Sequence, residues 1–172
     1  MIETQRLKLV PLTYDQLILY IGVDHALEHE LQLNKTTRTI SADLQEAFEQ
    51  TILPNVADKS KNYLYSTLWT LISKAENRMV GDLCLVGEPN EKGEVEIGYG
   101  TYEDFRGNGY MSEAVGGMIA WLKTQPNVLF INAATEKVNV ASYKVLQKNQ
   151  FKKHGESETL FLWRLYIGPE FP

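Results

Sequence analysis

Glu94-Val95-Glu96-Ile97-Gly98-Tyr99-Gly100-Thr101-Tyr102-Glu103-Asp104-Phe105-Arg106-Gly107-Asn108-Gly109-Tyr110-Met111-Ser112-Glu113-Ala114 changes its period partway along. Val95, Ile97 and Tyr99 alternate with Glu96, Gly98 and Gly100, the period of two expected of a strand. Ala114, Val115, Met118, Ile119 and Leu122 then fall at helical spacing. Between the two lies Arg106-Gly107-Asn108-Gly109, where glycine lets the chain turn tightly and come close to a ligand. The first amides of a helix have no partner inside it, and the helix dipole adds positive potential there. Strand, glycine turn and helix together therefore suit an anion, above all a phosphate. A Gly-x-Gly turn that merely joins strand to helix fits the same spacing. There is no Gly-x-x-x-x-Gly-Lys-Ser/Thr, and Ser112 stands where a dinucleotide fingerprint needs its third glycine.

The chain of 172 residues is long enough for one domain with a sizeable core, expected over 1–172. Its net charge of −5, from 17 basic and 22 acidic residues, argues against a general nucleic-acid binder and mildly favours a cationic partner. A single cysteine, Cys84, forbids an internal disulfide and fits a reducing compartment. No apolar signal core follows Met1, and no run approaches a membrane span, so a soluble cytoplasmic protein is expected, with no membrane partner. Nothing decides between a monomer and a homodimer, and a homodimer stays open.

From the start of the chain, Leu7 to Val10 reads as a strand closed by Pro11. Thr13-x-x-Gln16 is a capping box that opens a helix ending near Gly22. Helices are expected over 24–33 and 41–53, the second closed by Pro54. Strands are expected over 64–73, 79–86 and 94–101, forming an antiparallel meander. A helix from Tyr110 to Lys123 follows, then a strand over 128–134 whose near-continuous apolar run predicts burial on both faces. That crossover implies parallel pairing with the 94–101 strand. A helix over 139–149, a hairpin of 151–154 with 159–166, and a tail at 168–172 complete the chain. Cys84 reads as a small buried apolar residue. His25-Ala26-Leu27-Glu28-His29 has the spacing of an inverted zinc-peptidase motif, and equally that of a solvated helix face with histidines among acids. The second reading is adopted, and no metal site is expected.

Three separated stretches resemble one family, the GNAT superfamily of N-acetyltransferases. Arg106-Gly107-x-Gly109-Tyr110 with Ser112-Glu113-Ala114 resembles its acetyl-CoA loop, and Glu96-Ile97-Gly98-Tyr99 the strand before it. Asp104 stands where the wider pattern has Gln or Arg. Ile2 to Leu12 resembles the first strand of the ribosomal-protein N-terminal acetyltransferase branch. Asn139-x-x-Ser142 resembles that branch's late helix, with Gln150 in place of its usual terminal glycine, so that Asn149 is expected to supply the left-handed turn. The resemblance covers nearly the whole chain and is weakest at 24–62.

The resemblance implies an α/β GNAT fold: a mixed, mostly antiparallel sheet with a splayed parallel central strand pair and helices on both faces. It implies acetyl transfer from acetyl-CoA to a primary amine, either a protein or peptide N-terminal α-amine or a small molecule. Tyr99, Gly100, Thr101, Phe105, Arg106, Gly107, Asn108, Gly109, Tyr110, Met111, Asn139 and Ser142 are the expected acetyl-CoA residues. Glu96 is the candidate base, matching the family's strand glutamate; a strand carboxylate that merely faces solvent fits the same position. Leu146 occupies the position of the tyrosine acid that many relatives use, which leaves Ser142, Tyr143 or solvent to protonate the thiolate. A non-catalytic acyl-CoA-binding module is the alternative.

Overall fold

The computed structural model describes residues 1–22 and 24–170. Eight strands lie in one sheet: β1 (Ile2–Glu3), β2 (Leu7–Pro11), β3 (Leu68–Ser73), β4 (Arg78–Leu85), β5 (Glu94–Thr101), β6 (Phe130–Glu136), β7 (Lys152–Glu156) and β8 (Leu160–Tyr166). Their order is β1-β2-β3-β4-β5-β6-β8-β7. Every neighbouring pair is antiparallel except β5 with β6. That pair holds only over Glu94↔Phe130, Val95↔Ile131 and Glu96↔Asn132; beyond Glu96 the two strands part. The mixed sheet and its parallel central pair are those expected.

Alternation along the strands feeds two cores. Trp69, Leu71, Leu83 and Ile97 pack beneath Val115, Met118 and Leu122 of α5 (Tyr110–Leu122) and Leu146 of α6 (Val140–Lys148). Leu68, Ile72 and Met79 pack beneath Leu17 and Tyr20 of α1 (Tyr14–Gly22), Leu27 of α2 (Ala26–Glu30) and Phe48. Each fully buried side chain of this size contributes about 1.5–3 kcal/mol. Helices therefore cover both faces, α5 and α6 on one and the 14–57 segment on the other.

The capping box closes as expected: Thr13 N donates to Gln16 Oε1 (3.1 Å), and Gln16 N to Thr13 Oγ1 (3.3 Å). Other expectations need correcting. The helix expected over 24–33 is only Ala26–Glu30, because His25 and Gln32 both take left-handed backbone angles (φ 66° and 57°). Pro54 does not close the next helix. After α3 (Ala42–Ala47), which Ser41 caps, the wider π turn Phe48–Ile52 leads into α4 (Leu53–Ala57). Pro54 sits in the first turn of α4, where a missing N–H costs nothing. The strand expected from Leu64 begins at Leu68, since Tyr63–Tyr65 form a single 3₁₀ turn capped by Asn62.

β6 begins at Phe130 rather than Val128 and is not buried on both faces. Ile131, Ala133 and Thr135 point into the core. On the opposite side, Arg164 donates to Asn132 Oδ1 (2.9 Å) and to Glu94 Oε1, a polar lattice in place of a covering helix. The left-handed residue after α6 is Gln150 (φ 66°), not Asn149, whose amide donates to the Ser112 and Val145 carbonyls instead. Within the expected tail, residues 171–172 lie outside the described residues.

Candidate active site

Where β5 and β6 part, two cavities open on either side of the C-terminal half of β5. One, of about 500 Å³, runs between the 105–112 segment and α6. The other, of about 530 Å³, lies under the 37–44 segment and α1. They share Tyr99, Gly100, Thr101 and Arg106. A Cβ added at Gly100 would meet nothing within 4 Å, so the chain leaves open space where they join.

The first cavity gathers every expected acetyl-CoA residue except Asn108. Gly107 and Gly109 have φ of 78° and 75°, angles that L-residues rarely adopt. Among the described residues, the amides of Gly107, Asn108 and Gly109 donate to no protein acceptor. The first backbone bond of α5 is Glu113 N to Gly109 O (3.2 Å), so the amides of Tyr110 to Ser112 are unpaired as well. No carboxylate lines this cavity, whereas Arg106, Lys144 and Lys148 do. A run of free amides at a helix start, flanked by cations, fits the phosphates of a coenzyme.

Asn108 shapes the loop from behind: its side-chain amide donates to Phe105 O (3.0 Å), and its carbonyl accepts from Arg6 Nη1 (2.8 Å). Arg6 is a residue that the sequence reading missed. Its guanidinium also reaches Glu113 Oε2 (2.7 Å) and lies 4.8 Å from the centre of the Tyr110 ring. Glu113 Oε1 takes Thr4 Oγ1 (2.6 Å) and Arg6 N (2.7 Å). Burial alone would raise the Glu113 pKa, but these bonds from Thr4 and Arg6 outweigh it and hold the carboxyl below its usual range. The β1–β2 corner thus clamps the glycine loop onto α5.

Asn139 caps α6, its Oδ1 accepting from Ser142 N (3.1 Å). Ser142 in turn accepts at its carbonyl from Tyr99 OH (2.8 Å), tying α6 to β5. Burial pushes the Tyr99 phenol up to about 12, with the Ser142 bond partly offsetting it. Tyr143 lines neither cavity; its ring packs near Phe161 and Trp163, with centroids 5.7 and 6.0 Å away.

The second cavity is made of side chains from distant parts of the chain. Tyr20, Arg38, Asp82 and Tyr102 form its polar wall, and the exposed Glu103 and Asp104 stand at its mouth. Asp104 therefore belongs to this side and not to the cavity of the glycine loop. Cys84 is only partly buried and lines the same cavity; burial pushes its thiol up to about 11, so it stays neutral. Glu96 is exposed and lines neither cavity. His25 precedes α2, and Glu28 is buried against Arg38 (2.9 Å), so His-x-x-Glu-His does not spread along one helix face. Of the polar wall, the sequence reading named no member. The available signal was Asp82 itself, a lone carboxylate inside the apolar run Met79 to Leu85.

Residues 6–152 match the acetyltransferase (GNAT) domain family. An uncharacterized N-acetyltransferase of Bacillus subtilis, YjdG, is 28% identical over 170 residues, covering 97% of this chain and 98% of that protein. Among solved structures, a ribosomal-protein-S5-alanine acetyltransferase from Vibrio fischeri superposes with a TM-score of 0.71 at 20% identity, over 99% of this chain and 98% of that one. A ribosomal L7/L12 α-N-protein acetyltransferase in complex with coenzyme A gives 0.67 at 16% identity, over 95% and 96%. With the family match spanning most of the sequence and the glycine loop, parted strands and capped late helix in place, this chain belongs to the GNAT acetyltransferases.

Proposed function

We propose that the 172 residues act as one cytoplasmic domain that moves an acetyl group from acetyl-CoA to a primary amine, by preference the N-terminal α-amine of a protein or peptide. One observation carries this: a carboxylate-free cavity with unpaired amides and an acid-walled cavity meet at Tyr99, Gly100 and Thr101. The pyrophosphate of the acyl donor sits on the free amides from Gly107 to Met111, those of Phe105 and Arg106 being taken by the Tyr102 and Glu103 carbonyls, with Asn139 and Ser142 beside its pantetheine arm. The thioester carbonyl reaches the gap between β5 and β6, where strand amides near Tyr99 face the developing oxyanion. The ammonium of the acceptor enters from the side of Asp82, Glu103 and Asp104. Ser142 is the better placed candidate to protonate the leaving thiolate, since Tyr143 lines neither cavity.

Catalysis requires the ammonium to lose a proton before nitrogen attacks. Glu96, by its strand position and acting through solvent from its exposed site, is one candidate for this base, and the buried Asp82 on the second cavity is the other. An α-amine, with a reference pKa of about 7.7–8.0 against about 10.4 for lysine, needs only a mild base. The ribosomal-protein acetyltransferases among the structural neighbours favour the peptide acceptor. A small cationic amine suits the same acidic mouth. Thiol release from acetyl-CoA with peptides of varied first residue, beside spermidine and free amino acids, decides between them. Turnover with a peptide supports the proposal; turnover confined to a small amine replaces its acceptor; no thiol release with any of them refutes it.

A further inference from the structure

Asp82 is buried in β4 opposite Gly100, the residue at which the two cavities join. Its Oδ2 accepts from two phenols, Tyr20 OH at 2.5 Å and Tyr102 OH at 2.7 Å. Among the described residues its Oδ1 has no hydrogen-bond partner, and neither has Oγ1 of Thr70, which faces it across the β3–β4 ladder. The Thr70 hydroxyl draws the carboxyl down slightly, but the two oxygens lie outside hydrogen-bonding geometry. An incompletely paired buried carboxylate is costly. Burial is the largest influence on Asp82 and lifts its pKa to about 6, against lowering by Tyr20, Tyr102, Arg38 and Thr70.

Arg38 is the buried cation beside this group, yet it does not neutralise it directly. Its Nη1 binds Glu28 (2.9 Å), its Nη2 binds the Tyr20 carbonyl (2.9 Å), and its guanidinium lies 4.5 Å from the centre of the Tyr20 ring. Glu28 is held by the same contact and by His25 (3.1 Å). The other ionisable groups on this cavity are the neutral Cys84 thiol, the Tyr99 phenol and, at the mouth, Glu103, Asp104 and Arg106. Packing alone does not call for a carboxylate at this place: an amide of the same shape would still accept from both phenols, and it would carry no charge.

We propose that Asp82 is the terminal proton acceptor of the acetyl transfer, drawing a proton from the bound ammonium through the hydroxyl of Tyr102. The inference rests on the acetyltransferase reading above and names the proton path within it. The ammonium gives one proton to the Tyr102 oxygen as that hydroxyl passes its own to Asp82. The neutral amine attacks the thioester carbonyl carbon, the C–S bond breaks with its electron pair leaving on sulfur, and the nitrogen's second proton passes to the thiolate by way of the Ser142 hydroxyl, which gives its own proton to sulfur and takes the nitrogen's, releasing CoA thiol. Asp82 then returns its proton to solvent. Burial raises both phenols well above their usual range, so neither stands as a free phenolate and the relay is concerted.

The test measures thiol release from acetyl-CoA for the wild type and the variants Asp82→Asn, Tyr102→Phe and Glu96→Gln. Acceptors are alanine- and serine-initiated hexapeptides and spermidine, over roughly pH 5.5–9. The wild type is expected to lose kcat/KM on the acid side with a midpoint near 6. Asp82→Asn should lose about 10²–10⁴-fold at neutral pH and show a steady rise with pH in place of that limb. Its acetyl-CoA affinity should be unchanged, and its Tm at neutral pH equal or higher. Tyr102→Phe should lower kcat more than it alters KM. Wild-type activity with an intact acid limb in Asp82→Asn overturns the proposal alone. So does a larger loss in Glu96→Gln than in Asp82→Asn, or a joint fall of Tm and acetyl-CoA affinity in Asp82→Asn. Independently of turnover, carboxyl ¹³C titration, with the signal assigned by its loss in Asp82→Asn, should give a midpoint near 6. A midpoint in the ordinary aspartate range of about 3.9 also overturns it. A wild type inactive with every acceptor refutes the acetyltransferase reading itself.

Discussion

The two cavities that meet at Gly100 are built by opposite means. The side proposed for the coenzyme is made of backbone: two glycines at positive φ, unpaired amides and a helix start, supported from behind by Arg6. The side proposed for the acceptor is made of side chains: Tyr20 and the partly buried Tyr102 donate to the buried Asp82, and the buried Arg38 guanidinium lies over the Tyr20 ring and donates to the Tyr20 carbonyl. A backbone site binds whatever carries the right phosphates and tolerates change at exposed side chains. A side-chain site can be retuned residue by residue. The contrast fits the proposed pairing of a phosphate-bearing acyl donor with an amine acceptor.

That contrast can be broken most directly at Gly109. Its φ of 75° and the nearby Arg6 guanidinium leave no relaxed place for a branched side chain. Gly109→Val should weaken acetyl-CoA binding by about 100-fold or more, some 2.7 kcal/mol, while circular dichroism shows a retained fold. Unchanged affinity by calorimetry in a folded variant would mean that the backbone does not make the site. Arg6→Ala tests the support behind the loop. It removes three contacts from a partly exposed side chain, so about a tenfold loss of acetyl-CoA affinity is expected, with little change in acceptor KM at saturating donor.

Asp104→Asn tests the other side. A rim charge contributes modestly, so the KM of a cationic acceptor should rise about two- to fivefold while acetyl-CoA affinity stays constant. A fall in acetyl-CoA affinity instead would move Asp104 back to the phosphate loop. The smallest effect concerns Glu113. Its pKa is lower in the folded protein, so its bonds to Thr4 and Arg6 add stability at pH above its ordinary value of 4.5, and that stability is lost as pH falls through the lowered value. Glu113→Gln should lower Tm by about 2–4 °C at neutral pH, and the difference from wild type should shrink in acid. A Tm difference that does not depend on pH would assign the effect to packing.

What the sequence revealed follows the same division. Residues 94–114 are a contiguous stretch, and spacing within it carries the glycine turn and the helix start, which were legible for that reason. Asn139-x-x-Ser142 was found by family resemblance, and its capping bond is what the structure adds. The acceptor wall joins Tyr102 to Tyr20 across 82 positions, and no local pattern records such a meeting. Glu96 was singled out because it matches the family's strand glutamate, and Asp82 passed unnoticed because its neighbours read as plain core. Errors in the elements have local causes of a related kind. Pro54 was expected to stop a helix, but a preceding π turn gave it a first-turn position. Gln150 adopts the left-handed turn because Asn149 is engaged with Ser112.

The parting of β5 from β6 has a consequence for solubility. A strand with unpaired amides and carbonyls is a template for another chain, and proteins usually blunt such edges. The two outer edges of this sheet are blunted: β1 is two residues long, and β7 carries Lys152 and Lys153 with a register shift between Lys153 and Gly155. The third edge, residues 97–101 of β5, is of a different kind, because it lies inside the sheet. Flanking strands stand guard over it, so a foreign strand cannot lie alongside, whereas a thin extended arm bearing amides of its own can. The open edge that the proposed coenzyme arm would use is thus kept inside the sheet, where a neighbouring molecule's strand has no room to pair with it.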